Sequence, residues 1–212
     1  MAMNAKRKPG RSVSAVARNL KQCAQPQALS GFVLAGGKST RMGRDKALLD
    51  WHGQTLLNHM VELLRAVADP VQVVGRGPLP DRLPGLGPLS GIATGLETSS
   101  TDANLFVAVD LPLLTQDFLK YVCSRIEHSS HPLMACKIGS AFPLCLGIWR
   151  PLLPEIKRRL NAGNLSIRAL IGAGYTEVVI ESELAELGFD VSMFRNINTD
   201  EDYRSVQRDQ RP

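Results

Sequence analysis

The sequence predicts an α/β fold: a mostly parallel sheet with helices on both faces. Three observations carry this. Short apolar runs alternate with amphipathic helical stretches through residue 130, the pattern of right-handed crossovers between parallel strands. The run Asn104-Leu105-Phe106-Val107-Ala108-Val109 lacks polar alternation, as a strand covered on both faces does. The 212 residues, 44% hydrophobic and 21% charged, suffice for a sizeable core without disulfides or a structural metal.

Each element has its own signal. Residues 31–35 form a short apolar run ending at Gly36-Gly37, a buried strand entering a loop. Residues 54–68 place Leu56, Leu57, Met60, Leu63, Leu64 and Val67 at helical spacing. Residues 71–74 read as a second strand, 75–87 as a Pro/Gly-rich loop and 89–97 as a short helix. A strand over 104–109 and a helix over 116–127 follow. Strands are expected at 133–136, 144–149 and 176–180, and helices at 152–160, from 166 onward and at 199–208.

The charge is uneven. Lys6, Arg7, Lys8, Arg11, Arg18 and Lys21 lie in the first 30 residues without one acid, so of the net +5 the other 182 residues carry −1. The division expected is a basic, disordered tail over 1–29, one domain over 30–208 and a short tail over 209–212. A role for the tail in nucleic-acid binding is the lesser reading; the domain itself is expected to bind neither nucleic acid nor membrane. Cys23, Cys123, Cys136 and Cys145 form no CxxC pair, which argues against a zinc ribbon and a secreted disulfide framework and for the cytoplasm. His52, His59, His128 and His131 read as surface residues in or beside helices.

In parallel sheets ligands bind beyond the carboxyl ends of strands, so the loops after Ala35 and Val109 are the candidates for chemistry. The first reads Leu34-Ala35-Gly36-Gly37-Lys38-Ser39-Thr40-Arg41-Met42-Gly43-Arg44-Asp45-Lys46. Adjacent glycines bring backbone amides close to a ligand, and Lys38, Arg41, Arg44 and Lys46 supply positive charge, the combination a phosphate-rich ligand needs. A P-loop is excluded by spacing: GxxxxGK[ST] would require Gly where Phe32 stands. The second loop, Val109-Asp110-Leu111-Pro112, puts a carboxylate at the end of a buried strand, where it can hold Mg²⁺ together with substrate phosphates. Capping of the next helix is the competing role for Asp110, but Thr115 is better placed for that.

Taken together, the first loop, Gly87-Pro88-Leu89-Ser90-Gly91, Val109-Asp110-Leu111-Pro112 and Asn196-Ile197-Asn198-Thr199-Asp200 resemble the molybdenum cofactor guanylyltransferases. The resemblance runs in order over residues 31–206. It implies a three-layer, Rossmann-like nucleotidyltransferase fold and transfer of GMP from GTP to the phosphate of molybdopterin, with release of pyrophosphate. It further implies that Leu34, Ala35, Gly36 and Gly37 line the nucleotide, Arg41 and Lys46 contact phosphates, Asp81 contacts the base, and Asp110 binds Mg²⁺. Gly87, Pro88, Leu89, Asn196 and Asn198 would stand around the acceptor. Arg41, Lys46 and Asp110 are then the catalytic set, with proteins that deliver molybdopterin or receive the product as further partners. Val109 replaces the family's usual Cys, Asp200 its Pro, and Val74-Gly75-Arg76 lacks its Asn. The alternatives are the same chemistry with another base or acceptor (a molybdopterin cytidylyltransferase, a sugar-phosphate nucleotidyltransferase) and a non-catalytic nucleotide-binding module.

Overall fold

The structure, a computed structural model, describes residues 28–36, 43–83 and 85–209. The expectations for the tail over 1–27, for Gly37 and for Arg41 lie outside these residues. The described strands are β1 (Leu29–Leu34), β2 (Asp50–Trp51), β3 (Gln54–Thr55), β4 (Val71–Val74), β5 (Ala103–Ala108), β6 (Leu133–Lys137), β7 (Cys145–Trp149) and β8 (Thr176–Ile180). The helices are α1 (Leu56–Arg65), α2 (Pro88–Thr98), α3 (Gln116–His128), α4 (Leu153–Asn161), α5 (Ile167–Ile171), α6 (Glu181–Glu186) and α7 (Asp200–Asp209).

Six strands form one sheet in the order β4-β1-β5-β7-β6-β8. β1 pairs parallel with both β4 and β5, β6 pairs parallel with β8, and β7 runs antiparallel to its two neighbours. The chain leaves β1 through α1 to β4, then returns through α2 to β5 on the other side of β1. The connections diverge at the carboxyl end of β1, which makes that end the crevice of the sheet.

Alternate residues of β1 and β5 face opposite layers. Val33, Leu105 and Val107 pack with α1 and α3, while Phe32, Leu34 and Phe106 pack with α2 and α4. Both central strands are buried along their whole length, which is why their sequences show no alternation. Phe32 and Phe106 stack at 4.8 Å between centroids, and α2 comes down on them at Gly95. A Cβ at Gly95 would lie 2.6 Å from the Phe106 ring, so the absence of a side chain sets how closely α2 approaches the sheet.

Caps set the helix starts. Thr55, Thr115 and Ser166 accept the amides of Asn58 at 3.1 Å, Phe118 at 3.2 Å and Ala169 at 3.1 Å. α1 therefore begins two residues later than its periodicity suggests, because Gln54 and Thr55 pair with Asp50 and Trp51. That hairpin turns at His52-Gly53, both with positive φ, and buries Trp51. α6 and the hairpin are the elements the periodicity did not announce. His59 is half-buried, against expectation, and its Nε2 lies 2.9 Å from the Pro112 carbonyl. β1 begins at Leu29 and α7 reaches Asp209, so ordered structure extends one residue beyond each expected domain edge.

Far from the crevice, Glu155 on α4 accepts from Arg158, Arg159 and the Tyr175 hydroxyl. The Arg158 guanidinium, more than burial can offset, holds its carboxyl down at about 2. The stabilisation this gives is present above the ordinary Glu range and is lost as pH falls from about 4.5 toward about 2. Because Arg158, the partner that lowers it most, is 67% exposed and so well screened, Glu155→Gln should cost about 0–1 kcal/mol at pH 7, a melting shift of at most about 2–4 °C. The shift should shrink in melts run near pH 3.

Candidate active site

The ladder continues past the strand ends and aligns three short segments. Ala35 N–H donates to the Val74 carbonyl at 3.0 Å and Val109 N–H to the Leu34 carbonyl at 3.1 Å. Leu34-Ala35-Gly36, Val74-Gly75-Arg76 and Ala108-Val109-Asp110 thus lie side by side at one edge of the sheet. They wall a cavity of about 770 Å³, completed by Asp45, Lys46, Asp81, Gly87 and Pro88.

Lys46 and Asp110 meet at this edge. Lys46 Nζ donates to Asn198 Oδ1 at 2.7 Å and lies 3.4 Å from Asp110 Oδ2. Both side chains are mostly enclosed, 17% and 21% exposed. Burial pushes the Asp110 carboxyl up, and the Lys46 ammonium opposes it. Asn198 is brought in by two contacts: Ile197 N–H donates to the Asp110 carbonyl at 3.0 Å, and the Asp202 carboxylate accepts the amides of Asn198 and Thr199 at 3.0 and 2.8 Å. Thr199 caps α7 in return, accepting Asp202 N–H at 3.1 Å. Thr115 caps α3, so Asp110 is not engaged in that role.

The other side of the cavity is the loop before α2. Asp81 Oδ1 accepts the Ser90 hydroxyl at 2.5 Å and Leu83 N–H at 3.2 Å, which fixes the carboxylate at the cavity wall. Gly87, with φ +75°, leads into Pro88 at the first turn of α2, so the amino end of that helix borders the cavity. Of the residues expected here from the sequence, Leu34, Ala35, Gly36, Lys46, Asp81, Gly87, Pro88 and Asp110 line the cavity, and Asn198 reaches it through Lys46. Leu89 does not: it is fully buried in the core, because this residue of the first turn of α2 lies on the sheet-facing side. Asn196 is exposed and stands apart from the wall.

Gly75, Asp45 and Arg76 are polar or glycine wall residues that the sequence reading did not assign to the site. Gly75 sits at φ +90°, where a Cβ would lie 2.6 Å from Gly36 Cα and 2.7 Å from Gly36 N. Asp45 accepts Ala47 N–H at 3.0 Å and caps the short 3-10 turn at Lys46–Leu48. Arg76 pairs with Asp45 at the cavity wall. A glycine directly after the second strand, followed by a charged residue, was the available signal. Arg44, one of the four expected phosphate-binding cations, turns away instead, pairing with Asp200 at 2.6 Å and lying over the Tyr203 ring at 5.5 Å.

Gly75→Ala should be severe for its size. The positive φ costs about 1–3 kcal/mol, and overlap with backbone about 1–3 kcal/mol more. Because the overlap falls on Gly36, nucleotide affinity should drop with the melting temperature; a titration and a thermal melt of the variant test both.

Among the described residues no three of His, Cys, Asp and Glu stand together as a metal cluster. Among the described residues, three carboxylates (Asp45, Asp81, Asp110) and two cations (Lys46, Arg76) line the cavity. A single enclosed carboxylate suits a hard divalent ion that takes its remaining ligands from water and substrate phosphates. No helix among the described residues is long and apolar enough to cross a membrane.

Comparisons with known proteins agree with this geometry. Residues 31–178 match the family model described as MobA-like NTP transferase domain. The chain is 34% identical over 192 residues to a molybdenum cofactor guanylyltransferase of Syntrophotalea carbinolica, covering 84% of this chain and 90% of that protein. It is 37% identical over 185 residues to one of Xanthomonas euvesicatoria pv. vesicatoria, covering 82% and 92%. Its fold is shared with the crystal structure of molybdopterin-guanine dinucleotide biosynthesis protein A from Archaeoglobus fulgidus, with TM-score 0.70, 20% identity and coverage of 84% and 97%. With the family match spanning the sheet edge that carries Lys46 and Asp110, the chain belongs to the MobA-like NTP transferase family and is a nucleotidyltransferase.

Proposed function

We propose that this chain transfers GMP from GTP to the phosphate of molybdopterin and releases pyrophosphate. One observation supports it above the others: Lys46, held between Asp110 and Asn198, stands where the ends of β1 and β5 open into the cavity. The names of the two relatives, each covered over most of its length, support the choice of substrates.

The acceptor is a phosphomonoester whose oxygen is already anionic at neutral pH, so no general base is needed. None of the described histidines lines the cavity, which suits that chemistry. The acceptor oxygen bonds to the α-phosphorus, the bond to the bridging oxygen breaks, and its electron pair leaves with pyrophosphate. The task left to the protein is to hold two polyanions together. Lys46 offsets charge at the α-phosphate, Leu34 to Gly36 and Gly87 present backbone to the nucleotide, and Asp81 offers an acceptor to a base that carries N–H donors. Arg41 and Gly37 are assigned to the phosphates on the sequence motif, Leu89 to the scaffold behind it. We assign the metal role to Asp110 and the metal to Mg²⁺; when bound, the ion would neutralise phosphate charge that Lys46 leaves over. We assign Asn198 to the acceptor on its bond to Lys46, and Asn196 on the sequence motif alone. The buried free thiols Cys136, pushed up to about 12 by desolvation, and Cys145 fit a reducing, cytoplasmic setting.

The test is incubation with Mg²⁺, molybdopterin and each of the four nucleoside triphosphates. Pyrophosphate released with GTP and not with CTP supports the reading. Release with CTP in its place would make the chain a cytidylyltransferase, and nucleotide binding without release would make it a binding module.

A further inference from the structure

Arg76 makes an arrangement that the reaction scheme above does not use. Its Nε donates to the Ala35 carbonyl at 2.7 Å. Its two terminal nitrogens grip both oxygens of the Asp45 carboxylate, Nη2 to Oδ1 at 2.5 Å and Nη1 to Oδ2. One guanidinium therefore holds the residue just after β1 and the residue immediately before Lys46. All three of its nitrogens thus bond to protein, and Arg76 and Asp45 are both less than a third exposed.

We propose that Arg76 is a positioning residue: it clasps Ala35 to Asp45 and so presets Lys46 for the nucleotide phosphates. Asp45 passes the constraint on, since its Oδ1 also accepts Ala47 N–H at 3.0 Å and its carbonyl accepts Leu48 N–H at 3.2 Å. The turn that carries Lys46 is thus tied to the sheet through one carboxylate. Gly75 lets the clasp form, because its lack of a Cβ brings the β4 end against Gly36. Charge matters as well as geometry. An unpaired Asp45 on the wall would repel a triphosphate, whereas the Arg76 fork neutralises it. The adjacent Arg44–Asp200 pair tethers the same stretch to α7, but at 51% and 46% exposure it contributes little.

The clasp exists without ligand, so its first test needs none. Amide hydrogen exchange of the nucleotide-free protein should quicken at Ala47 and Leu49 by about tenfold or more in Arg76→Gln, the scale of a lost charge-assisted bond. Exchange in the α3 core should stay as in wild type. Arg76→Lys should not restore protection, because an ammonium cannot hold a carbonyl and both carboxylate oxygens at once. Unchanged exchange at Ala47 and Leu49 would overturn the proposal.

The second test rests on the nucleotide-binding reading and uses GTP titrations. Asp45→Asn keeps the turn's cap, since Asn caps about as well as Asp, but removes the charge that Arg76 grips. A clasp predicts GTP binding about tenfold or more weaker in Asp45→Asn and in Arg76→Gln, with the double variant no worse than either. An Arg76 that acts directly on phosphate predicts the reverse for Asp45→Asn, tighter binding from a freed guanidinium and one fewer negative charge; that result, or additive losses in the double variant, would overturn the proposal. Asp200→Ala should leave affinity within about twofold. If wild type takes up no nucleotide, the transfer reading falls, and the exchange experiment still decides the clasp.

Discussion

Asp110→Asn should cut GMP transfer by about a thousandfold or more while leaving the fold intact, a loss on the scale of removing a key electrostatic group. The substitution keeps shape and one acceptor oxygen and removes the charge that attracts a hard cation. In wild type, Mg²⁺ should tighten GTP binding, because an ion held at the enclosed Asp110 carboxylate would offset the negative charge of the triphosphate. In the variant that gain should shrink, and metal-free GTP binding should hold or improve. Calorimetry with and without Mg²⁺, beside a turnover assay, separates these effects. A role in capping α3 would leave turnover normal, but Thr115 already caps that helix. Normal turnover with an unchanged Mg²⁺ dependence would remove Asp110 from metal binding and most of the scheme with it.

Lys46→Ala should be comparable, at least about a hundred- to a thousandfold in turnover. Lys46 Nζ is the donor shared between Asp110 and Asn198, so its loss removes a positive charge from a largely enclosed wall and frees two acceptors to face the phosphates. The core is untouched, since the packing in this turn comes from Ala47, and the melting temperature should stay close to wild type. Lys46→Arg should rescue poorly, because a planar fork cannot take the place of a compact point charge between two acceptors. Turnover near wild type for Lys46→Ala would exclude the residue from the chemistry.

Much of this was legible in the chain. β1, β4 and β5 announced themselves as short apolar runs, and β4 and β8 fall on the residues expected. The loops after Ala35 and Val109 were singled out from their place after buried strands, and both border the cavity. The β2–β3 hairpin escaped because two residues per strand carry no periodicity, and its second strand borrowed residues from the apparent start of α1. Leu89 was grouped with the site because its motif borders it, yet a helix turn puts neighbouring residues on different sides, and Leu89 falls on the core side.

By itself the sequence determined the layer architecture and the chemical character of the site: buried strands followed by glycines, cations and one carboxylate. These are local properties, readable from spacing and residue type. The tertiary structure decided which charges act together. Lys46 meets Asp110 and Asn198 across separations of 64 and 152 residues, and Arg76 meets Asp45 across 31. Arg44, the third of four cations in the same motif, is drawn off to Asp200. Such pairings follow from strand order and from how closely backbones approach, at Gly75 against Gly36 above all. A charged residue carries no mark in the linear sequence of the partner the fold will bring to it.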